Sequence, residues 1–402
     1  MILSERKYWS TNSTASRYFH TVVGGVSLAV LLVLISIVQL SAQDMVDKHA
    51  TAQTKALHAN LKRIAEQGIM FGHQEDLAYG VGWTNSPGRS DVKEVCGDYP
   101  AVHGWDIGKE DTPANIDFVP FENVRKWIIE VYKHGGINTI SWHVDNTTTG
   151  GNAWDTIRTV KHILPGGKDH AKFKARLDRI ADFMLSCKVD GEFIPLIFRP
   201  YHENNGAWFW WGKGNCTETE YIALWRFTVD YLKNTRNLHH LLYAFSPDRS
   251  KLDMNDLKKS YLYGYPGDDY VDMLGYDNYM DVGISWNTKT KEAQAADFIA
   301  GLSMLSALAK EKGKSAALTE TGLEGVTNPT WFTEVILNPI KSNPSVRLAY
   351  ICLWRNANTK HHYGPYPGHA SADDFKVFYK DSLTLFENDI RNMYKPGKPL
   401  TK

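Results

Sequence analysis

Eight short apolar runs, each ending in polar or aromatic residues, set the architecture open to this chain. They lie at residues 69–71, 101–105, 137–142, 193–198, 241–245, 271–276, 315–318 and 348–353. Runs of this length with little polar interruption are the pattern of strands buried on both faces. Between most of them, apolar residues recur three and four apart, the period of an amphipathic helix. Residues 121–134, 171–187, 218–234 and 291–312 show it best, and 44–67 reads as a helix ahead of the first strand, stopped at Gly68. Strands alternating with helices eight times predict an α/β fold, a single (β/α)8 barrel. An open doubly wound sheet usually carries a glycine-rich phosphate turn after its first strand, and Phe71-Gly72-His73-Gln74 is not one. No linker or short-period repeat divides residues 43–402, so they read as one domain. Segments 79–99, 146–169 and 361–374 follow the first, third and eighth strands and are rich in Gly, Thr, Asn, Pro and His. They are expected as long loops at the C-terminal face of the strands, where barrels build their sites.

The fourth run leads into Arg199-Pro200-Tyr201-His202-Glu203-Asn204-Asn205-Gly206-Ala207-Trp208-Phe209-Trp210-Trp211-Gly212. A carboxylate caught between a buried strand end and a cluster of indoles sits in a low-dielectric place. Its pKa should rise there, as a general acid requires. Flat aromatic faces beside a carboxylate also suit a sugar ring. A second carboxylate, Glu320, ends the seventh run three strand–helix units later. Strands four and seven face each other across a barrel mouth, so the two glutamates can flank a glycosidic bond. A pair about 5–5.5 Å apart makes a retaining hydrolase, with one nucleophile and one acid/base.

The segment from Arg199 to Gly212 resembles the acid/base segment of glycoside hydrolase family 26, whose commonest activity is β-1,4-mannanase. Phe71-Gly72-His73-Gln74, Ser141-Trp142-His143, Asp277-Asn278-Tyr279, Thr319-Glu320-Thr321 and Leu353-Trp354-Arg355-Asn356 match family segments in the same order. The resemblance spans residues 68–356. It implies that Glu203 is the acid/base and Glu320 the nucleophile. It further implies that Tyr279 bonds the nucleophile and that Trp354 forms the platform under the sugar at the cleavage point. His143 and Trp208 would contact that sugar and the leaving group, with His202 beside the acid/base, and Arg355 would reach the next sugar outward. His73, Trp83, Trp154, Trp211 and Asp277 complete the candidate list. Trp83 and Trp154 stand on the long loops after strands one and three, placed to stack on or block a more distant sugar and so favour short products such as mannobiose.

The expected substrate is therefore mannan, galactomannan or glucomannan, cleaved by double displacement. A β-1,3-xylanase or mixed-linkage β-glucanase of the same family is the near alternative, since the loops rather than the carboxylates separate these. A glycan-binding protein without chemistry is the distant one, and retention of both glutamates speaks against it. The 13 Trp and 20 Tyr suit a carbohydrate cleft. With 45 Lys and Arg against 45 Asp and Glu there is no field to draw nucleic acid or acidic lipid. No cofactor is expected, and no metal: His361-His362 lacks matching carboxylate spacing. Residues 21–40 are apolar, preceded by Arg6, Lys7 and Arg17 and followed by Ser41-Ala42-Gln43. Residues 1–42 thus read as a signal peptide or hydrophobic leader, which puts the rest of the chain, expected as a monomer, outside the cytoplasm. The spacing of Cys96, Cys187, Cys216 and Cys352 fits no zinc pattern and leaves three full disulfide pairings open, with Cys352 expected as a buried free thiol.

Overall fold

The computed structural model describes residues 45–397, so the leader expected at 1–42 lies outside the described residues. Eight parallel strands close on themselves: β1 (Ile69–Gln74), β2 (Val102–Asp106), β3 (Ile137–Trp142), β4 (Leu196–Pro200), β5 (Leu241–Phe245), β6 (Met273–Asn278), β7 (Ser315–Thr321) and β8 (Tyr350–Leu353). Each pairs with its sequence neighbour, and β8 pairs with β1 through Met70↔Tyr350 and Phe71↔Ile351 to complete the ring. This is the (β/α)8 barrel that the alternating pattern predicts, and closure leaves no doubly wound sheet.

Side chains alternate across each strand. Met70, Val102, Ile137, Ile197, Leu242, Ala244, Met273, Ala317, Tyr350 and Cys352 fill the barrel interior. Phe71, Trp105, Ile140, Phe198, Phe245, Leu274, Leu318 and Ile351 face the helical layer. The helix Ala52–Ile64, capped by Thr51 accepting from Thr54 N at 3.2 Å, packs Leu57, Leu61 and Ile64 against the interior set. It therefore stops the end of the barrel opposite the active face. It is shorter than the 44–67 expected, because the chain before Thr51 is irregular. Phe121–His134, His170–Ser186, Glu218–Asp230 and Lys291–Glu311 realise the other four expected helices, the third running on as a π-helical turn Tyr231–Thr235.

Two departures from the expected pattern have local reasons. The expected strand 193–198 starts at Leu196, because Pro195 lacks an N–H for the ladder. Phe193 belongs instead to a small hairpin, Lys188–Val189 with Glu192–Phe193, turned by Asp190 and Gly191 at φ 51° and 86°. Two positive φ values at Asp-Gly are what a tight hairpin turn demands. Segment 79–99 is not loop throughout: it holds the ribbon Tyr79–Gly80/Trp83–Thr84 and the helix Asp91–Cys96. All four cysteines are free thiols, and Cys352 lies buried inside the barrel as expected.

Candidate active site

One extra residue in β7 shapes the mouth of the barrel. Tyr276 pairs with Leu318 but Asp277 pairs with Glu320, and on the other side Leu318↔Ile351 is followed by Thr321↔Leu353. The strand bulges at Thr319-Glu320. Without it, strict alternation would send Glu320 outward with Leu318; with it, Thr319 and Glu320 both serve the open end. Thr319 Oγ1 accepts from Tyr276 N at 2.9 Å and donates to Asp277 Oδ1 at 2.6 Å, satisfying groups the broken ladder leaves over. Gly275 makes the room: a Cβ there would stand 2.7 Å from both Thr319 Oγ1 and Ser246 Cβ.

Glu320 is 6% exposed and has two firm partners. Arg199 Nη2 donates to its Oε1, and Tyr279 OH donates to its Oε2 at 3.0 Å. Arg199 points inward from β4 and also bonds Asp277 Oδ2 at 2.9 Å and Ser246 Oγ at 3.0 Å. One guanidinium thus faces two carboxylates in a buried place. Burial pushes the Asp277 carboxyl well above its usual range, Arg199 works against that, and the Glu320 charge adds to it.

Glu203 stands on the loop after β4 with φ 54°, its N–H bonded to Ser246 O at 2.7 Å. A left-handed φ is costly for a residue with a Cβ, so the turn is held by its surroundings. The loop after β5 does the holding: Asn205 Nδ2 donates to Asp248 O at 2.7 Å and Asp248 N donates back to Asn205 Oδ1 at 2.8 Å. The Glu203 carboxyl touches a single donor, Trp208 Nε1, at 2.6 Å from Oε2. Burial first, then the charges of Asp248, Asp277 and Glu320, push its pKa well above the carboxylate range, and the indole bond only partly opposes them. One oxygen each of Glu203, Glu320 and Asp277 lie within 4.8 Å of one another. Such a trio has the ligand atoms for a cation, but Arg199 already supplies the positive charge that two of the three would need.

The remaining candidates divide. His143, His202, Trp208, Tyr279, Trp354 and Trp154 line the same cleft as the two glutamates, a cavity of about 550 Å³. His143 Nδ1 lies 2.6 Å from Asp106 Oδ2, and that carboxylate, against the effect of burial, keeps the His143 pKa raised. His202 is the opposite case: burial, Arg199 and His143 all drive its pKa well below the ordinary value, so a neutral ring sits 4.0 Å from Glu320 Oε1. Trp154 is 47% exposed and stacks on His143 with centroids 5.3 Å apart. Arg355 stands beside the cavity rather than in its lining, paired with Asp117 at 3.0 Å and within 3.4 Å of Tyr79 OH.

Four further candidates do not line the cleft. Trp211 is fully buried, its Nε1 bonded to His202 O at 2.8 Å and its ring stacked on Phe209, so it supports the loop from below. Trp83 is 7% exposed and spends its N–H on Asp91 at 2.7 Å. His73 is buried against Asp76 at 2.9 Å. Asp277 lies beneath the floor of the cleft as the partner of Arg199 and Thr319. The candidate list also missed residues: Arg199, Asp106, Ser246, Thr319 and Asp248 form the support, and Trp286 and Tyr363 line the cleft. Arg199 carried a readable signal, since an arginine in an otherwise apolar strand needs a buried carboxylate partner.

Residues 46–320 match the model of glycosyl hydrolase family 26. A GH26 β-mannanase from Bacteroides ovatus is 41% identical, with 86% of this chain and 98% of that one covered and a TM-score of 0.79. A modular endo-β-1,4-mannanase from Cellulomonas fimi is 36% identical over 89% of this chain and 80% of that one, with a TM-score of 0.80. A mannan endo-1,4-β-mannosidase of Bifidobacterium adolescentis is 35% identical over 371 residues, 84% of this chain; the match spans only 35% of that longer relative. Sequence match and shared barrel agree: the chain belongs to glycosyl hydrolase family 26.

Proposed function

We propose that this chain is an exported, retaining endo-β-1,4-mannanase that acts as a monomer on mannan-type polysaccharide and releases short products such as mannobiose. The observation that carries the reaction type is the carboxylate spacing. One oxygen of Glu203 and one of Glu320 lie within 4.8 Å of each other, which suits the ~5–5.5 Å of a retaining pair better than the ~6.5–9.5 Å that admits a water in an inverting one.

In this reading Glu320 attacks the anomeric carbon while Glu203 gives its proton to the departing glycosidic oxygen. Arg199 and Tyr279 keep Glu320 oriented, one hydrogen bond to each carboxylate oxygen. Burial and the neighbouring acids raise the pKa of Glu203, which favours the protonated form a general acid needs. Once Glu203 is ionised, the same carboxylate takes a proton from the water that releases the sugar from Glu320. Trp354 supplies the platform for the sugar being cleaved, and His143, held by Asp106, with neutral His202 borders it. Trp208 orients the acid and meets the leaving group. Arg355 takes the next sugar outward, with Trp154 farther along that side.

Reducing-sugar release from β-mannan, β-1,3-xylan and lichenan tests the reading. Release from mannan alone is the expected result. Preference for xylan or lichenan gives the activity to another member of the family's range, and retardation on a mannan affinity gel without cleavage of any polymer makes the chain a binding protein.

A further inference from the structure

β4 and β7, which carry Glu203 and Glu320, divide the mouth of the barrel into two arcs. One arc holds the loops after β8, β1, β2 and β3, with Arg355, Tyr79, Asp117 and Trp154. The other holds only the loops after β5 and β6. A chain passing between the glutamates must leave over the second arc, and there the structure sets a large, half-exposed aromatic side chain at the cavity wall. Trp286, in the loop after β6, is 57% exposed yet lines the same cavity as Glu203 and Glu320. The cavity extends this way: Gly283, Ile284 and Ser285 line it too, whereas Arg355 on the far arc does not.

The loop that presents Trp286 is tied down at its stem. Val282 is fully buried and its carbonyl accepts from Trp331 Nε1 at 2.7 Å. Gly283 N donates to Gln294 Oε1 at 3.1 Å, and Asn287 Nδ2, one residue beyond the indole, donates to Met280 O at 2.8 Å. A single exposed indole is ordinary on a protein surface, but this one stands at the wall of the cleft on an anchored loop. A flat apolar face presented in this way fits the apolar face of a sugar ring and brings little ordering entropy to binding.

We propose that Trp286 is the platform of a subsite for the leaving-group half of the polysaccharide, beyond the sugar that meets Trp208. It takes a mannosyl residue of the departing chain, and it lets the enzyme hold an acceptor sugar there when one competes with water for the glycosyl-enzyme. The inference rests on the mannanase reading and deepens it.

The test compares Trp286→Ala and Trp286→Phe with the parent on two substrates. Mannopentaose extends past the first leaving-group position, whereas 4-nitrophenyl β-mannobioside ends there. Trp286→Ala should lower kcat/KM on mannopentaose about tenfold further than on the aryl substrate, a loss of the size expected for one aromatic contact. Trp286→Phe should recover most of it, and the Ala variant should form fewer transglycosylation products from mannotetraose. Equal losses on both substrates, with an active parent, overturn this inference alone. A parent that cuts neither substrate overturns the mannanase reading, and this inference with it.

Discussion

The ends of β4 and β7 deliver the same side chain into the same cleft and surround it with opposite neighbours. At the end of β7, Glu320 meets a guanidinium and a phenol, and both donate to it. At the end of β4, Glu203 meets one indole N–H, apolar rings and three acidic neighbours, which favour the acid form. The backbone differs as well. Glu320 is aimed by a bulge inside a buried strand, while Glu203 is aimed by a left-handed residue on a loop braced through Asn205 and Asp248. Residue type therefore does not set the role; the neighbours do, and each set of neighbours can be removed separately.

Removing Glu320 breaks the comparison most completely. Glu320→Ala should cost several orders of magnitude in kcat on every substrate while the circular dichroism spectrum stays unchanged, because no second carboxylate can form the covalent intermediate. Removing Glu203 should look different. Activity of the parent falls as pH rises through the raised pKa of Glu203, since the ionised acid has no proton to give, so the pH–rate profile needs a basic limb. Glu203→Ala should lose that limb and keep substantial activity only on aryl glycosides, whose leaving groups need no proton. The apparent values of parent limbs belong to the coupled pair rather than to one residue.

The supports come next in size. Tyr279→Phe removes one hydrogen bond to a charged group, worth about 1.5–3 kcal/mol, and should lower kcat about 10–150-fold without moving the basic limb. The smallest effect is on stability. Glu203 is ionised in the unfolded chain above the ordinary carboxylate range but prefers its proton when folded, so it destabilises the fold increasingly as pH rises from the unfolded to the folded value. Glu203→Gln should therefore raise Tm more at pH 7 than at pH 4, as read by thermal melts at the two pH values, with ~1 kcal/mol appearing as about 1–2 °C in a chain of this length.

The barrel and both glutamates were legible because they depend on short-range signals: strand-length apolar runs, helical periodicity between them and a carboxylate at a strand end. What stayed hidden depends on register and direction. The bulge at Thr319-Glu320 is one extra residue that shows only against its neighbours on β6 and β8. Trp211 and Trp208 stand three residues apart in one indole-rich run, yet one is fully buried beneath His202 and the other lines the cleft; composition cannot say which way an indole turns. Trp286 sits alone in a polar stretch, without the neighbours that drew notice to the run after β4.

The order in which the anomers of the product appear tests the account most directly. With mannopentaose and a large amount of enzyme, proton NMR records the new reducing end before mutarotation mixes its two forms. Glu203 and Glu320 at the observed spacing predict the β-anomer first, with the α-anomer growing in only as mutarotation proceeds. First appearance of the α-anomer would contradict the account, since inversion requires a water held between two carboxylates set farther apart.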